Sequence, residues 1–314
     1  MADRRVTVLA GGVGGARFLQ GLIQVVDPAA VTIVGNVGDD LEPFGLHVSP
    51  DLDTVLYTLT GRIDADKGWG VRGDTPRALE QARALGADAW FWLGDLDLGL
   101  HLARTELLRQ GLPLSAATLR LAAAMGLRAT LLPATDDRLR TMITIPEGDV
   151  DFQTYYVRRG HADPVLGIRF DGAEAARPAP GVLEAIAAAD VVVIAPSNPF
   201  ISIDPILAVP GIRAAVTARR ERVVAVSPIV AGAALRGPAA AMLTSLGHET
   251  SAVGVAGLYR SLAASLLIDL KDAAAAGRVQ QAGLRPRVTE TVMTDAAASR
   301  ALAADALAAG GLVA

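Results

Sequence analysis

The sequence predicts a doubly wound α/β fold: a mainly parallel sheet with a helical and β subdomain inserted into it. Three observations predict it. Short β-branched runs alternate with helical segments, as in "RVTVLA" (5–10) and "VTIVGN" (31–36) with a helix between them. A glycine-rich turn joins the first run to that helix. The alternation breaks off near Leu98 and resumes after Arg177. Buried parallel strands read as continuous apolar runs bounded by turn residues, and a strand–helix–strand crossover sets its two strands parallel.

The elements follow in order. A helix from about Gly15 to Val26 connects the first two strands. "DLDTVLYTLTG" (51–61) reads as a helix with Asp51 near its start and Gly61 as its stop. "DTPRALEQARALG" (74–86) repeats that grammar, with Asp74 as N-cap, Pro76 in the first turn and Gly86 at the end. In "WFWLGDLDLGLH" (90–101) a strand ends at Gly94-Asp95; strand alternation turns Phe91 to one side and both tryptophans to the other. Leu98 to Gly126 is helical and rich in alanine and leucine. "RATLLP", "LRTMITIP", "VDFQTYYVRR" and "VLGIRFDG" then read as strands, two of them joined by a hairpin through Glu147-Gly148-Asp149. These place the inserted subdomain at 98–177, within a core of 1–97 and 178–314, the whole forming one compact unit. "ADVVVIAPSNP" and "ERVVAVSPIVAG" resume the buried strands, and "RVTETVMTD" with the helix after Asp295 closes the chain.

Composition narrows the function. Half of the 314 residues are hydrophobic, enough for a sizeable core. The net charge of −4 lacks the basic footprint of a nucleic-acid binder. Lysine occurs only at Lys67 and Lys271, so arginine, with its planar two-pronged donor geometry, carries the positive charge. Without cysteine there is no disulfide, thiolate metal site or cysteine nucleophile. The N-terminal apolar stretch is short and broken by glycine, so it reads as first strand and turn rather than as a leader. No segment reaches the ~18 uncharged apolar residues of a membrane span. The expectation is a soluble cytoplasmic protein with no nucleic-acid or membrane partner.

Several segments carry chemistry. In "VLAGGVGGARF" the third glycine of a dinucleotide fingerprint is replaced by Arg17, and no lysine supplies a nucleoside-triphosphate loop. What remains is a glycine turn opening a helix. Backbone N–H groups of Gly12, Val13, Gly14 and Gly15, with Arg17 beside them, suit an anion. "GNVGDD" ends the second strand, where ligands of open sheets sit; Asn36, Asp39 and Asp40 fit a ribose, a metal, a hydroxyl or plain turn chemistry. Asp51 and Asp53 stand two apart at a helix start. That is more than capping needs, and it suits Mg²⁺ or an attacking hydroxyl. Trp90, Phe91 and Trp92 offer a stacking surface, though core packing is the ordinary use of any one of them. Ser197, Asn198 and Ser202 sit beyond a buried strand and suit a base or ribose, or a rigid turn. The four histidines lack metal spacing; His47 alone lies near the aspartate pair.

Taken together, "GGVGGARFLQGL", "NVGDD", "SPDLDTVLYTLTG", "WGVRGDT", "WFWLGDLDL", "PSNPFISIDPIL" and "VVAVSPIVAG" resemble the 2-phospho-L-lactate transferases of coenzyme F-420 biosynthesis. The resemblance implies a Rossmann-like core and a homodimer. It implies transfer of a 2-phospholactyl or phosphoenolpyruvyl group from a GDP-linked donor to the deazaflavin alcohol Fo, with Mg²⁺ required and GMP released. On it, Asp53, Trp92 and Asp95 would meet the deazaflavin, with Asp51 and Asp53 catalytic. Gly12, Val13, Gly14, Gly15, Arg17, Asn36, Ser197 and Asn198 would hold nucleotide and phosphate, and Asp39 with Asp51 the metal. The family's common "LGDRDLA" reads "LGDLDLG" here, with Leu96 and Gly99, so Arg17 or Arg104 would stand in for the missing arginine. The arginine-rich composition leans toward the enolpyruvyl donor. The alternative is a non-catalytic nucleotide-sugar-binding regulator of the gluconeogenesis-factor kind, against which "WFWLGDLDL" argues.

Overall fold

The computed structural model describes residues 4–235 and 237–312. Its frame is a seven-stranded sheet in the order β12-β11-β8-β7-β1-β2-β3, with every pairing parallel. The strands are β1 (Val6–Ala10), β2 (Val31–Gly35), β3 (Thr130–Pro133), β7 (Val191–Ile194), β8 (Val223–Val226), β11 (Ser265–Asp269) and β12 (Arg285–Thr289). β1, β7 and β8 are buried along their whole length, as their apolar runs require. From β1 the chain winds outward through β2 to β3. It then returns to the other side of β1 at β7 and winds away through β8, β11 and β12. The direction therefore reverses between β1 and β7, and ligands of such sheets bind beyond the strand ends at that reversal.

The helices bear out the alternating grammar. They are α1 (Gly12–Leu22), α2 (Pro50–Leu59), α3 (Arg77–Ala84), α4 (Asp95–Arg109), α5 (Leu114–Ala124), α6 (Val182–Ala188), α7 (Asp204–Ala208), α8 (Ile212–Ala218), α9 (Ala239–Ser245), α10 (Ala252–Tyr259), α11 (Ala276–Gln281) and α12 (Ala296–Ala309). α1 packs against α2 and α12, and α6 packs against α8. No single helix among the described residues is long and apolar enough to cross a membrane.

Four local expectations change. The first helix begins at Gly12 rather than near Gly15, so the glycine turn is itself the helix's first turn. "RATLLP", inside the stretch expected to be inserted, forms β3 and pairs with β2 in the central sheet. The small antiparallel sheet comprises only β4 (Arg140–Ile145), β5 (Gly148–Asp151) and β6 (Gly167–Asp171), with the expected hairpin between β4 and β5. The expected strand "VDFQTYYVRR" stops at Asp151, whose carboxylate accepts from Thr154 N (3.0 Å) and Thr154 Oγ1 (2.6 Å) and starts a helical turn. Buried Ile143, Phe152 and Tyr155 from this region belong to the same apolar core as the central sheet. A two-residue pair, β9 (Ile229–Val230) and β10 (Ala233–Ala234), follows β8.

The fourth change concerns Trp90 to Trp92. These residues lie in a loop, not a strand, because no strand among the described residues pairs with them. Two aspartates exchange roles around it. Asp74, expected to cap α3, accepts from Leu96 N (2.7 Å) and Asp97 N (3.0 Å) at the start of α4. Asp95 accepts from Ala78 N (2.9 Å) and Thr75 Oγ1 at the start of α3. Each carboxylate satisfies the other helix's open N–H groups and locks the two helix starts together.

Candidate active site

A cavity of about 710 Å³ opens beyond the carboxyl ends of β1, β7 and β8. Its first wall is the start of α1, through Gly12, Val13, Gly14 and Arg17. Ser197 clamps this turn: its Oγ donates to Gly11 O (2.7 Å) and accepts from Gly11 N (3.3 Å). A Cβ on Gly14 would collide with the Pro196 carbonyl oxygen, so only glycine lets α1 approach the loop after β7 this closely. Ser197 and Asn198 line the cavity as well; Asn198 Oδ1 accepts from Phe200 N (3.0 Å) and starts the next helical turn.

The second element is acidic. Asp51 accepts from Gly12 N (2.8 Å) and Asn36 Nδ2 (3.0 Å). Burial pushes its carboxyl up to about 6, against those two hydrogen bonds. Asp39 also lines the cavity, and its buried Oδ1 has no hydrogen-bond partner among the described residues. Burial, with the charges of Asp51 and Asp40 beside it, holds Asp39 well above the usual carboxylate range. Asp53 faces the cavity too, but both its oxygens are gripped by the buried Arg104 guanidinium, at 3.1 Å from Nη1 to Oδ2 and through Nη2 to Oδ1.

The third element is aromatic. Trp69 and Trp92 meet edge to face with ring centroids 5.2 Å apart, and Phe91 lines the cavity next to Trp92. Adjacent residues share the wall because their segment is a loop, so strand alternation does not apply. Phe152 and Tyr156, stacked at 5.3 Å, contribute from the helical turn after β5. The late segments Ser227-Pro228 and Thr291 to Thr294 complete the enclosure.

The site thus gathers Gly12, Val13, Gly14, Arg17, Asp39, Asp51, Asp53, Trp92, Ser197 and Asn198 around one space. Four expected contributors stand behind it. Asn36, only 1% exposed, holds Asp51 and also donates to Ile201 O (3.0 Å). Gly15 is packed under Ser197 and Ala10. Asp95 caps α3, and Arg104 is buried on Asp53 rather than turned to the cavity. His47 is also turned away, with Nε2 3.0 Å from Asp40 Oδ2. Sequence reasoning missed Trp69, Tyr57, His101, Phe152 and Tyr156 as lining residues. Trp69 and Tyr57 have a signal, since they lie in the quoted "WGVRGDT" and "SPDLDTVLYTLTG"; His101, Phe152 and Tyr156 reach the cavity through tertiary packing.

A doubly wound sheet with a glycine-opened helix at its winding reversal, carboxylates beside it and an aromatic wall opposite defines an α/β enzyme for small-molecule substrates. Residues 6–309 match the model of the family described as 2-phospho-L-lactate transferase CofD. The chain is 47% identical over 309 residues to the phosphoenolpyruvate transferase of Streptomyces griseus, covering 96% of this chain and 97% of that one. It is 46% identical over 309 residues to the namesake in Streptomyces coelicolor, at the same coverage. A solved structure of a upf0052 family protein from Bacillus halodurans superposes with a TM-score of 0.64 at 19% identity, covering 98% of this chain and 99% of that one. That likeness shows the fold. The chain belongs to the 2-phospho-L-lactate transferase CofD family, and it is a transferase.

Proposed function

We propose that this cavity transfers a phosphoenolpyruvyl group from a GDP-linked donor to the side-chain hydroxyl of the deazaflavin Fo, a step of coenzyme F-420 biosynthesis. The 2-phospholactyl donor is the close alternative. One observation carries the reading: the start of α1 with Arg17, the carboxylates Asp51 and Asp53, and the Trp69–Phe91–Trp92 wall all face a single space. An anion cradle and a stacking wall suit a diphosphate-linked donor and a flat acceptor held together. The relatives' name, phosphoenolpyruvate transferase, favours the enolpyruvyl donor.

In this reading the Fo hydroxyl oxygen attacks the phosphorus that bears the enolpyruvyl group. A new P–O bond forms, the diphosphate P–O bond breaks, and GMP leaves with its electrons. Catalysis of such a transfer is mainly positioning and charge neutralisation. The α1 turn and Arg17 hold diphosphate oxygens. Asp53 accepts a hydrogen bond from the acceptor and orients it, and the hydroxyl proton passes to the carboxylate pair. Asp39 and Asp51 would hold Mg²⁺, since a divalent cation would give the orphaned Asp39 oxygen a partner and offset the mutual repulsion of the two carboxylates. Bound there, it would neutralise phosphate charge. The protein is taken to work in the cytoplasm as a homodimer.

Mass spectrometry of the product made from each donor, with Fo and Mg²⁺, tests this. The enolpyruvyl product is lighter by the two hydrogens of its extra double bond, and GMP accumulates with it. Absence of any product from either donor overturns the reading. Binding of GDP without Fo would favour a non-catalytic nucleotide binder instead.

A further inference from the structure

We propose that Arg104 is a positioning residue for the acceptor: its buried guanidinium fixes the Asp53 carboxylate on the cavity wall and ties it to the helix that follows Trp92. This role rests on the transferase reading above, in which Asp53 and Trp92 meet the deazaflavin.

Arg104 is 1% exposed and does not line the cavity. A buried arginine is costly to desolvate, and burying an ion pair is a weak route to stability. Its surroundings point to orientation. Asp53 and Tyr57 lie four apart on α2, and Asp97, His101 and Arg104 lie four and three apart on α4, so two polar stripes face each other between the helices. The contacts cross that seam. The Arg104 fork takes both Asp53 oxygens. Nη1 also lies 3.4 Å from His47 O and 3.5 Å from His101 Nδ1. His101 Nε2 is 3.2 Å from Asp97 Oδ1, which accepts from Tyr57 OH at 2.6 Å. Thr105 Oγ1 accepts from His47 N (2.8 Å) and stitches α4 to the segment entering α2.

The fork has a chemical consequence. An ionised carboxylate offers about four acceptor sites. Arg104 takes two, and Ser49 N, 3.3 Å from Oδ2, takes a third. Room remains for one donor from the cavity, at a place set by the plane of the guanidinium. Because α4 begins three residues after Trp92 and its start is locked to α3 by the Asp74 and Asp95 exchange, the same arginine holds the carboxylate in register with the aromatic wall. A lysine at this position keeps the charge and loses the plane.

The test is binding of Fo, followed by fluorescence, and of GDP, followed by calorimetry, to wild type, Arg104→Lys, Asp53→Asn and the double variant. Arg104→Lys is expected to weaken Fo at least about tenfold, the scale of a lost hydrogen bond to a charged group, with GDP affinity held within about twofold. In the Asp53→Asn background the same change adds nothing, because there is no carboxylate left to orient. A purely structural arginine predicts otherwise: both ligands weaken together, or Arg104→Lys keeps its full effect beside Asp53→Asn. Either result overturns the role. Should Arg104→Lys fail to fold, the neutral pair Asp53→Asn/Arg104→Gln removes both buried charges together. It should then bind Fo as Asp53→Asn alone does, and a further tenfold loss overturns the proposal. Ile186→Ala, a buried change on α6, lowers Tm and leaves Fo affinity unchanged. A wild-type protein that binds GDP but no Fo overturns both the acceptor reading and this one, whereas equal Fo binding by wild type and Arg104→Lys overturns only this one.

Discussion

The two walls of the cavity are built by different means. The glycine wall is local: β1, the glycine turn and α1 follow one another from Val6 to Leu22, and backbone geometry shapes it. The aromatic wall is assembled from afar. Trp69 comes from the loop after α2, Phe91 and Trp92 from the segment before α4, and Phe152 and Tyr156 from the turn after β5. Side-chain contacts hold those pieces, chiefly the exchanged caps and the buried Asp53–Arg104 seam. A wall made by backbone should fail at once when its backbone is displaced, whereas one made by side chains should fail piece by piece.

That contrast can be broken at its strongest point first. Gly14→Ala forces α1 away from the Pro196 carbonyl, so GDP affinity is expected to fall at least about a hundredfold, near 3 kcal/mol. Fo affinity should change little, and calorimetry with each ligand checks both. Parallel loss of Fo binding would show that the walls are not separable. Trp92→Ala removes one stacking face, and Fo should weaken by roughly 1–3 kcal/mol while GDP binding persists. Fluorescence titration reads that split.

Smaller effects sharpen the contrast. Asp74→Ala removes the cap of α4, for a loss of about 1 kcal/mol in stability. Asp95→Ala does the same at α3. Each should lower Fo affinity severalfold and leave GDP binding intact, because only the aromatic wall hangs on those helix starts. The smallest effect lies in the acidic element. Burial raises Asp51 from 3.8 to about 6, so the folded state binds more protons than the unfolded state between about pH 4 and 6, and the contribution of Asp51 to stability falls as pH rises through that window. Asp39, raised by burial and by the neighbouring charges, acts in the same direction. Asp39→Asn should flatten the fall and raise Tm by a few degrees at pH 7.5. Added Mg²⁺ should raise the wild-type Tm there more than the variant's. Thermal melts across pH, with and without the cation, decide this.

Much of the fold was legible because its signals are local. "VVVI" and "VVAV" are β-branched runs of strand length bounded by turn residues, and the Gly-Gly-x-Gly-Gly turn stands directly before a helical pattern. β3 was misplaced because "RATLLP" has the same apolar pattern whether it joins the central sheet or an inserted one; its partner, β2, lies far back in the chain. Trp90 to Trp92 read as a strand because aromatic runs favour pleated surfaces, yet no strand lies beside them to pair with. Asp74 reads from sequence as a helix cap and Asp95 as the end of a strand; the exchange between them is not legible, since a carboxylate can cap its own helix or a neighbour's. His101 has no metal spacing in the sequence, yet folding brings it against both Asp97 and Asp53.

By itself the sequence determined most of the buried parallel strands, that a glycine-rich turn opens the first helix, and which family the ordered motifs resemble. Those properties depend on neighbours along the chain: side-chain period, backbone freedom at glycine, and a glycine loop without lysine in a chain without cysteine. Only the tertiary structure decided which residues face the cavity and which stand behind it. Asn36 supports Asp51, Arg104 grips Asp53, Asp95 holds a helix, and Trp69 comes forward to the wall. The physical reason is that a polar side chain takes the best partner within reach, and what lies within reach is set by how α2, α3, α4 and the loops around them pack.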